Sequence, residues 1–288
     1  MMVIIFFIIV IVAFILLFYK TYKNTHKLIL NKVHLSLDTS GDPSPNTFTV
    51  LQISDMHLEK ISISPKQLYH RLKDEKIDLI ALTGDYLDKK QSIPKLIPYL
   101  KVFNQLDAKY GIYAVFGNHD YKLKQADFDQ LKKTLKKYGC KTLQNENETI
   151  VIEGRPVNII GIDDFYTNRS DLNQAFSGAK RGFHLVLTHD PSIVLQMKKF
   201  PFDYLLSGHF HGGQIHWPKP YHLAKMAKKM LKMNMIKGLH FYNGKPFYIS
   251  EGLGQTLINI RVGSRPEITL HHIPLTNIKE KTLTAVSC

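Results

Sequence analysis

The chain is poor in cysteine. Cys140 and Cys288 are its two thiols, they stand far apart, and one is the last of 288 residues. They match no metal-ligand spacing, which argues against a closed structural zinc site and against a disulfide framework. No internal repeat or low-complexity tract is visible. Acidic residues are missing from two long stretches. Residues 1–37 carry four lysines (Lys20, Lys23, Lys27, Lys32) and no acid, and residues 204–250 carry seven lysines and no acid. These blocks hold most of the net charge of +14. An even basic surface would suggest nucleic acid. Two blocks, one beside an apolar segment, suggest an anionic membrane surface instead, and no specific nucleic-acid partner is expected.

Charge of either sign is absent from Met1–Tyr19, which is almost all Ile, Val, Phe and Leu. At 1.5 Å per residue such a segment spans roughly the 30 Å of a bilayer core. It has neither a basic start nor a small-residue cleavage site, so an uncleaved anchor is favoured over a signal peptide. The lysines that follow place the rest of the chain in the cytoplasm by the positive-inside rule. The expected organisation is a single-pass cell-membrane anchor at 1–19 and a basic stem and linker at 20–46, with polar Asp38–Asn46. One large domain at 47–275 and a tail at 276–288 follow. Hydrophobic content of 44% suits a full core in that domain.

Short β-branched runs recur at Thr49–Ser54, Leu79–Thr83, Ile112–Phe116, Thr149–Ile152, Val157–Ile162, His184–Thr188, Tyr204–Ser207, Phe247–Ser250 and Glu267–His271. Helical patterns lie between several of them, at Pro65–Lys76, Ile93–Leu106, Asp127–Tyr138 and Pro191–Phe200. Nearly continuous apolar strands alternating with helices predict an α/β fold with sheets inside and helices outside.

Five of the runs end in polar motifs: Ser54-Asp55-Met56-His57, Gly84-Asp85-Tyr86-Leu87-Asp88, Gly117-Asn118-His119-Asp120, Thr188-His189-Asp190-Pro191 and Ser207-Gly208-His209-Phe210-His211-Gly212-Gly213-Gln214. Open α/β sheets bind ligands at that edge. In an extended strand residues i and i+2 point the same way, so Asp55 and His57 are expected to grip one ion. Any one of these histidines alone reads better as a hydrogen-bonded core or surface residue. Five motifs in order do not. Phosphate esters resist attack because their anionic oxygens repel nucleophiles. Two neighbouring cations neutralise those oxygens and acidify a water between them. Asp and Asn oxygens with neutral imidazoles suit first-row ions such as Mn²⁺, Fe or Zn²⁺, and a pair of ions needs a bridging carboxylate.

The order D-x-H, G-D-x-x-D, G-N-H-D, H-D-P, G-H-x-H-G-G-Q resembles the calcineurin-like metallophosphoesterases over about residues 49–273. Within them it is similar to the bacterial membrane-anchored YkuE-like branch, which is related to UDP-2,3-diacylglucosamine pyrophosphate hydrolases. The resemblance implies a four-layer α-β-β-α sandwich and two divalent metal ions. It implies that Asp55, His57 and His211 hold one ion, that Asp85 bridges, and that Asn118, His189 and His209 complete the other. His119 would stabilise the phosphate and protonate the leaving oxygen, oriented by Asp88, with Asp120 a competing candidate. Lys89 stands where phosphoprotein phosphatases of this fold have Arg, which argues against a phosphoprotein substrate because Lys cannot copy the arginine fork. Phe210 stands where the branch commonly has Thr and is expected to narrow the mouth.

Residues Tyr221–Lys237 form a basic insertion. Leu223, Met226, Ala227, Met230 and Leu231 follow helical spacing, with Lys225, Lys228, Lys229 and Lys232 between them. Such a helix either lies in a membrane interface or packs its stripe on the domain. In the first case a lipid tail lies along Met226, Met230 and Leu231, and Lys228 meets the head group. Arg261 and Arg265 either clamp a second phosphate or are surface arginines beside a turn. His216, His222, His240, His271 and His272 fit no ligand slot. The expected activity is hydrolysis of a phosphate ester or pyrophosphate in a phosphorylated lipid or lipid-linked substrate. The alternatives are a phosphodiesterase or phosphatase acting on soluble nucleotides or other small phosphoesters, and a non-catalytic scaffold, which the full set of donors disfavours.

Overall fold

The computed structural model describes residues 1–36, 47–216, 220, 223–275 and 284–287. Helix α1 (Met2–Asn24) is followed by β1 (Ile29–Ser36), β2 (Thr47–Ile53), α2 (Pro65–Leu72), β3 (Leu79–Thr83), α3 (Ile93–Gln105) and β4 (Ile112–Val115). Next come α4 (Gln125–Lys137), β5 (Cys140–Thr142), β6 (Glu146–Ile152), β7 (Arg155–Gly161), α5 (Leu172–Phe176), β8 (Phe183–Leu187) and β9 (Tyr204–Ser207). Two short helices, α6 (Leu223–Met226) and α7 (Lys228–Lys232), precede β10 (Gly238–Tyr242), β11 (Lys245–Ile249), β12 (Glu267–Pro274) and β13 (Thr284–Ser287).

The strands form a seven-stranded sheet, β13-β1-β12-β2-β3-β4-β5, and a six-stranded sheet, β10-β11-β9-β8-β7-β6. Alternation along each strand builds three apolar layers. In β3, Leu79 and Ala81 pack between the sheets, whereas Ile80 and Leu82 meet α2, α3 and α4. In β8, Leu185 and Leu187 face inward and Val186 packs outward beneath α5, α6 and α7. Sheets covered on both faces need strands apolar on both faces, which is why the runs read as continuous. The result is the expected four-layer α/β sandwich. Local signals set the ends of its helices. Ser64 caps α2 with its side chain accepting from the Gln67 amide while Gln67 Oε1 accepts from the Ser64 amide, and Pro65 opens the helix.

The domain boundary is corrected. Residues 29–36 are not a stem, because β1 pairs in parallel with β12, Ile29 against Glu267 through His34 against His272. Val33 and Leu35 enter the inter-sheet core while Lys32 and His34 stay exposed. β13, in what reads as a tail, pairs antiparallel with β1. Helix α1 continues past Tyr19 to Asn24, and Thr21 and Asn24 are buried against the domain. The expected linker Asp38–Asn46 and the rest of the tail lie outside the described residues.

Polar groups tie the sheets together beneath the motif-bearing edge. Gln52 Nε2 donates to Ser207 O at 2.8 Å and to Thr83 Oγ1 at 3.1 Å, and Gln52 Oε1 lies 3.0 Å from His271 Nε2. The Tyr204 hydroxyl reaches His271 Nδ1 at 2.8 Å. Burial lowers His271 to about 3, so it is a neutral structural histidine.

Glu267 gives the fold a pH dependence. It accepts hydrogen bonds from the Tyr248 hydroxyl and Thr269 Oγ1, and burial followed by the Glu251 charge raises it to about 7. Between its ordinary value and about 7 the unfolded chain ionises first, so this contribution to stability is lost as pH rises through that window. Glu267→Gln is expected to flatten that decline, read as the urea midpoint at a series of pH values. An unchanged pH slope overturns the assignment.

Candidate metal centre

The strands β2, β3 and β4 run parallel in one sheet, as do β8 and β9 in the other, so their C-terminal ends share one edge. The five motifs begin where these strands stop. Asp55 and His57 do not converge through a continuing pleat, as the sequence suggests. β2 ends at Ile53, and both residues have positive φ, 50° and 39°. Asp85, His209 and His211 also have positive φ, at 56°, 74° and 50°. Asp is tolerated there better than most residues, yet so many left-handed non-glycine residues in one place mark a backbone bent to aim side chains. Glycine makes room for them. A Cβ on Gly208 would lie 1.9 Å from Ser54 Oγ and 2.2 Å from Asp55 Oδ2, and one on Gly117 would lie 2.2 Å from Asp85 Oδ1.

Two buried donor groups result, Asp55–His57–His211 and Asp85–His189–His209. In the first, His57 Nε2 and His211 Nε2 are 3.2 Å apart and His211 Nε2 is 3.4 Å from Asp55 Oδ1. In the second, His209 Nδ1 and His189 Nε2 are 3.1 Å apart, and His189 Nε2 is 3.1 Å from Asp85 Oδ2. The same Asp85 oxygen lies 3.5 Å from His57 Nε2, so it faces both groups. Its other oxygen accepts from the His119 amide at 2.8 Å. Asn118 is buried beside these residues, and its Oδ1 has no hydrogen-bond partner.

The donor set fits divalent cations. Imidazole nitrogens 3.1–3.2 Å apart in a buried site repel unless a proton or a cation lies between them. Burial lowers His57 to about 3 and also lowers His209 and His211 far below the ordinary range, which leaves them neutral lone-pair donors. Burial would lower His189 as well, but the Asp85 carboxylate outweighs it and holds this histidine high, so in the metal-free chain a proton on His189 offsets part of the carboxylate charge. A divalent ion would replace that proton. His189 Nδ1 is 2.8 Å from Thr83 O, a backbone contact that orients the ring.

His119 pairs through Nδ1 with Asp88 Oδ1. Burial opposes its charge, but the Asp88 hydrogen bond and the charges of Asp85 and Asp88 raise it overall. Asp120 is corrected as the partner. Its carboxylate is fully buried and accepts the amides of Asp85, Tyr86 and Gly117, each at 2.9 Å, which ties the loop of Asp85 to that of Asn118. It positions the donors without reaching the His119 ring. Phe210 is corrected too, since its ring is buried in the outer core behind His209.

The apolar stripe of the insertion packs on the domain. Leu223, Ala227 and Met230 are buried in the core outside the six-stranded sheet, and Met226 and Leu231 pack against it half-buried. The stripe serves the domain, so buried Met230 cannot line a tail, Met226 and Leu231 keep only part of their surface exposed, and Lys228 is an exposed lysine on α7. Arg261 is fully buried, with its guanidinium donating to backbone carbonyls, and cannot clamp a substrate.

Two residues at the mouth escaped the sequence reading. Lys122 Nζ is 2.9 Å from His119 Nδ1 and 3.0 Å from its Nε2. Tyr166, half-exposed, stands with its ring 5.4 Å from that of His209. The signal was position: Lys122 is one turn past His119, and Tyr166 lies in the loop after β7, at the edge the motifs share. Lys122→Ala is expected to raise KM about tenfold with kcat little changed, as when a phosphate contact made equally in ground and transition states is lost. Steady-state kinetics on a soluble diester check it, and an unchanged KM overturns the contact.

Fold and donors together define a metal-dependent hydrolase. The family model for calcineurin-like phosphoesterases matches residues 48–213. The chain belongs to the calcineurin-like phosphoesterase family. It is 57% identical over 261 residues to the uncharacterized metallophosphoesterase YkoQ of Bacillus subtilis, covering 91% of this chain and 96% of that one. It is 27% identical over 234 residues to the uncharacterized metallophosphoesterase YkuE of the same organism, covering 80% of each. It is 24% identical over 273 residues to the UDP-2,3-diacylglucosamine pyrophosphatase LpxG of Chlamydia muridarum, covering 77% of this chain and 82% of that one.

Proposed function

We propose that the protein is a membrane-anchored, two-metal hydrolase that cleaves a phosphate ester or pyrophosphate bond in a lipid or lipid-linked substrate. The observation that carries the two-metal reading is Asp85 Oδ2 facing both donor groups, 3.5 Å from His57 Nε2 and 3.1 Å from His189 Nε2. Asp55, His57 and His211 would hold one ion, and His189, His209 and Asn118 the other, with Asp85 between them. Divalent ions there, Mn, Fe or Zn, would neutralise phosphate oxygens and lower the pKa of water at the site.

The chain's own groups do the rest. The Asp85 oxygen that accepts the His119 amide fixes that residue's backbone, and Asp88 holds its ring by Nδ1. The proton to be given to the leaving oxygen then sits on Nε2. Lys122 lies beside the same nitrogen and meets the incoming phosphate. Asp88→Asn is expected to lower kcat about 10- to 100-fold with metal content unchanged, because Asp88 orients a group without holding an ion. Loss of metal in that variant would make Asp88 a ligand and overturn its role.

The lipid reading is supported by helix α1, which is apolar and long enough to cross a membrane and carries no charge before Lys20, and by the diacylglucosamine substrate in the name of LpxG. A cytoplasmic domain is supported by Lys20, Lys23 and Lys27 beyond the apolar run, through the positive-inside rule. The test gives one detergent-solubilised preparation a phospholipid-type pyrophosphate and bis-p-nitrophenyl phosphate. Greater kcat/KM on the lipid supports the proposal. Turnover of the soluble diester alone favours the nucleotide-type alternative.

A further inference from the structure

We infer that the loop Thr256–Ile260, tipped by Leu257 and Ile258, is a second membrane contact that seats the domain on the lipid surface beside α1. The inference rests on reading α1 as the anchor, and it concerns how the domain meets the bilayer rather than what it cleaves.

The end of α1 is locked to this loop. Arg261 N donates to Thr21 O at 3.1 Å, and Asn24 Nδ2 donates back to Arg261 O at 3.0 Å. The Thr25 and Ser62 hydroxyls are 2.8 Å apart, and Ser62 in turn bonds the Asn259 side chain. A membrane helix with this end leaves the lipid between Tyr19 and Lys23, where its first charges appear. The loop against that turn is therefore held at the same level. Exposed Lys20, Lys23 and Lys27 ring the exit, suited to anionic head groups.

The tip is apolar without protein cover. Leu257 is 86% exposed and Ile258 is 51% exposed, and Ile215 is exposed on the neighbouring segment that bridges Val262. Leu257 also has φ of 53°. A bulky side chain in the left-handed region is strained, and glycine or asparagine would relieve it in a loop facing only water. A large apolar side chain kept in that conformation, next to a helix clothed in lipid, fits insertion into the acyl–head-group boundary.

The same loop is tied to the metal centre. Gln214, three residues past His211, donates through Nε2 to Thr256 O at 2.9 Å and to Ile258 O at 3.0 Å, and Gln214 Oε1 accepts from Thr256 N at 2.9 Å. On its other side, Gly252 and Gly254 lie against Asp55 and Met56. Seating the loop thus fixes the donor cluster close to the surface where a lipid phosphate lies.

The test uses the full chain in phosphatidylethanolamine–phosphatidylglycerol vesicles, with Cys288→Ser so that buried Cys140 is the remaining native thiol. Leu257→Cys and Ile258→Cys, each alone, carry an environment-sensitive fluorophore. Val151→Cys is the reference, 62% exposed on β6 at the far edge of the other sheet. Brominated lipids are expected to quench the labels at 257 and 258 about fivefold more than the label at 151. Equal quenching at all three sites overturns the inference. So does shielding of 257 that grows with protein concentration, which would mark a second copy of the chain. A chain that does not float with the vesicles after a carbonate wash removes the anchor and this contact together. The readout involves no turnover, so quenching with no lipid hydrolysis leaves the contact standing and the proposed substrate overturned.

Discussion

Asp85→Asn is expected to abolish measurable turnover, with kcat/KM falling on the order of 10³-fold, since several kcal/mol of charge stabilisation depends on ions that one carboxylate holds together. The substitution keeps the side chain's shape. The amide oxygen can still accept the His119 N–H now bound at 2.8 Å, and the Asp120 carboxylate still holds the Asp85 and Tyr86 amides. What is lost is the negative charge on the oxygen between His57 and His189. The fold should therefore persist while metal is lost, measured by elemental mass spectrometry after gel filtration and by circular dichroism on the same sample. A variant that keeps full metal content, or activity within about tenfold of the parent, overturns Asp85 as the shared ligand.

The donor set was readable because each motif is a polar cluster at the end of an apolar run, and parallel strands bring such ends to one edge. How the donors converge was not readable. Asp55 and His57 meet through left-handed backbone just past β2, where strand periodicity no longer applies. Beside His119, Asp88 is the favoured candidate and Asp120 a competing one. The choice between them depends on which backbone amides point at Asp120, a tertiary fact. The stripe of the Tyr221–Lys237 insertion is legible and its partner is not, because a helix face needs an apolar surface and does not say whether protein or lipid supplies it; of the two readings, the structure shows packing on the domain. β1 could have been found. Val33 and Leu35 alternate with Lys32 and His34 as a half-buried strand should, but the lysines drew the segment into the anchor's basic stem.

Arg261 carries the second large effect, on folding rather than on chemistry. Its Nη1 donates to Glu251 O and Arg265 O, both at 2.8 Å, and its Nη2 to Gly252 O at 2.9 Å and Gly254 O at 2.6 Å. Burial, opposed first by Glu251, lowers its pKa only to about 10, so the guanidinium stays charged at neutral pH. Arg261→Leu would strand four carbonyls, each costing about 1–3 kcal/mol where water cannot reach. With partial rehydration the expected loss is about 4 kcal/mol, or roughly 10 °C in Tm for a domain of this size. Arg261→Lys should recover only part, since a compact ammonium cannot span two pairs of carbonyls as the planar fork does. A phosphate clamp at this position would behave in the opposite way, with KM raised and Tm within about 2 °C of the parent, and that outcome would return Arg261 to the substrate. Because the same residue's backbone bonds Thr21 and Asn24 of α1 while its side chain holds the glycine turn against Asp55, its loss should loosen the helix end and the metal loop together.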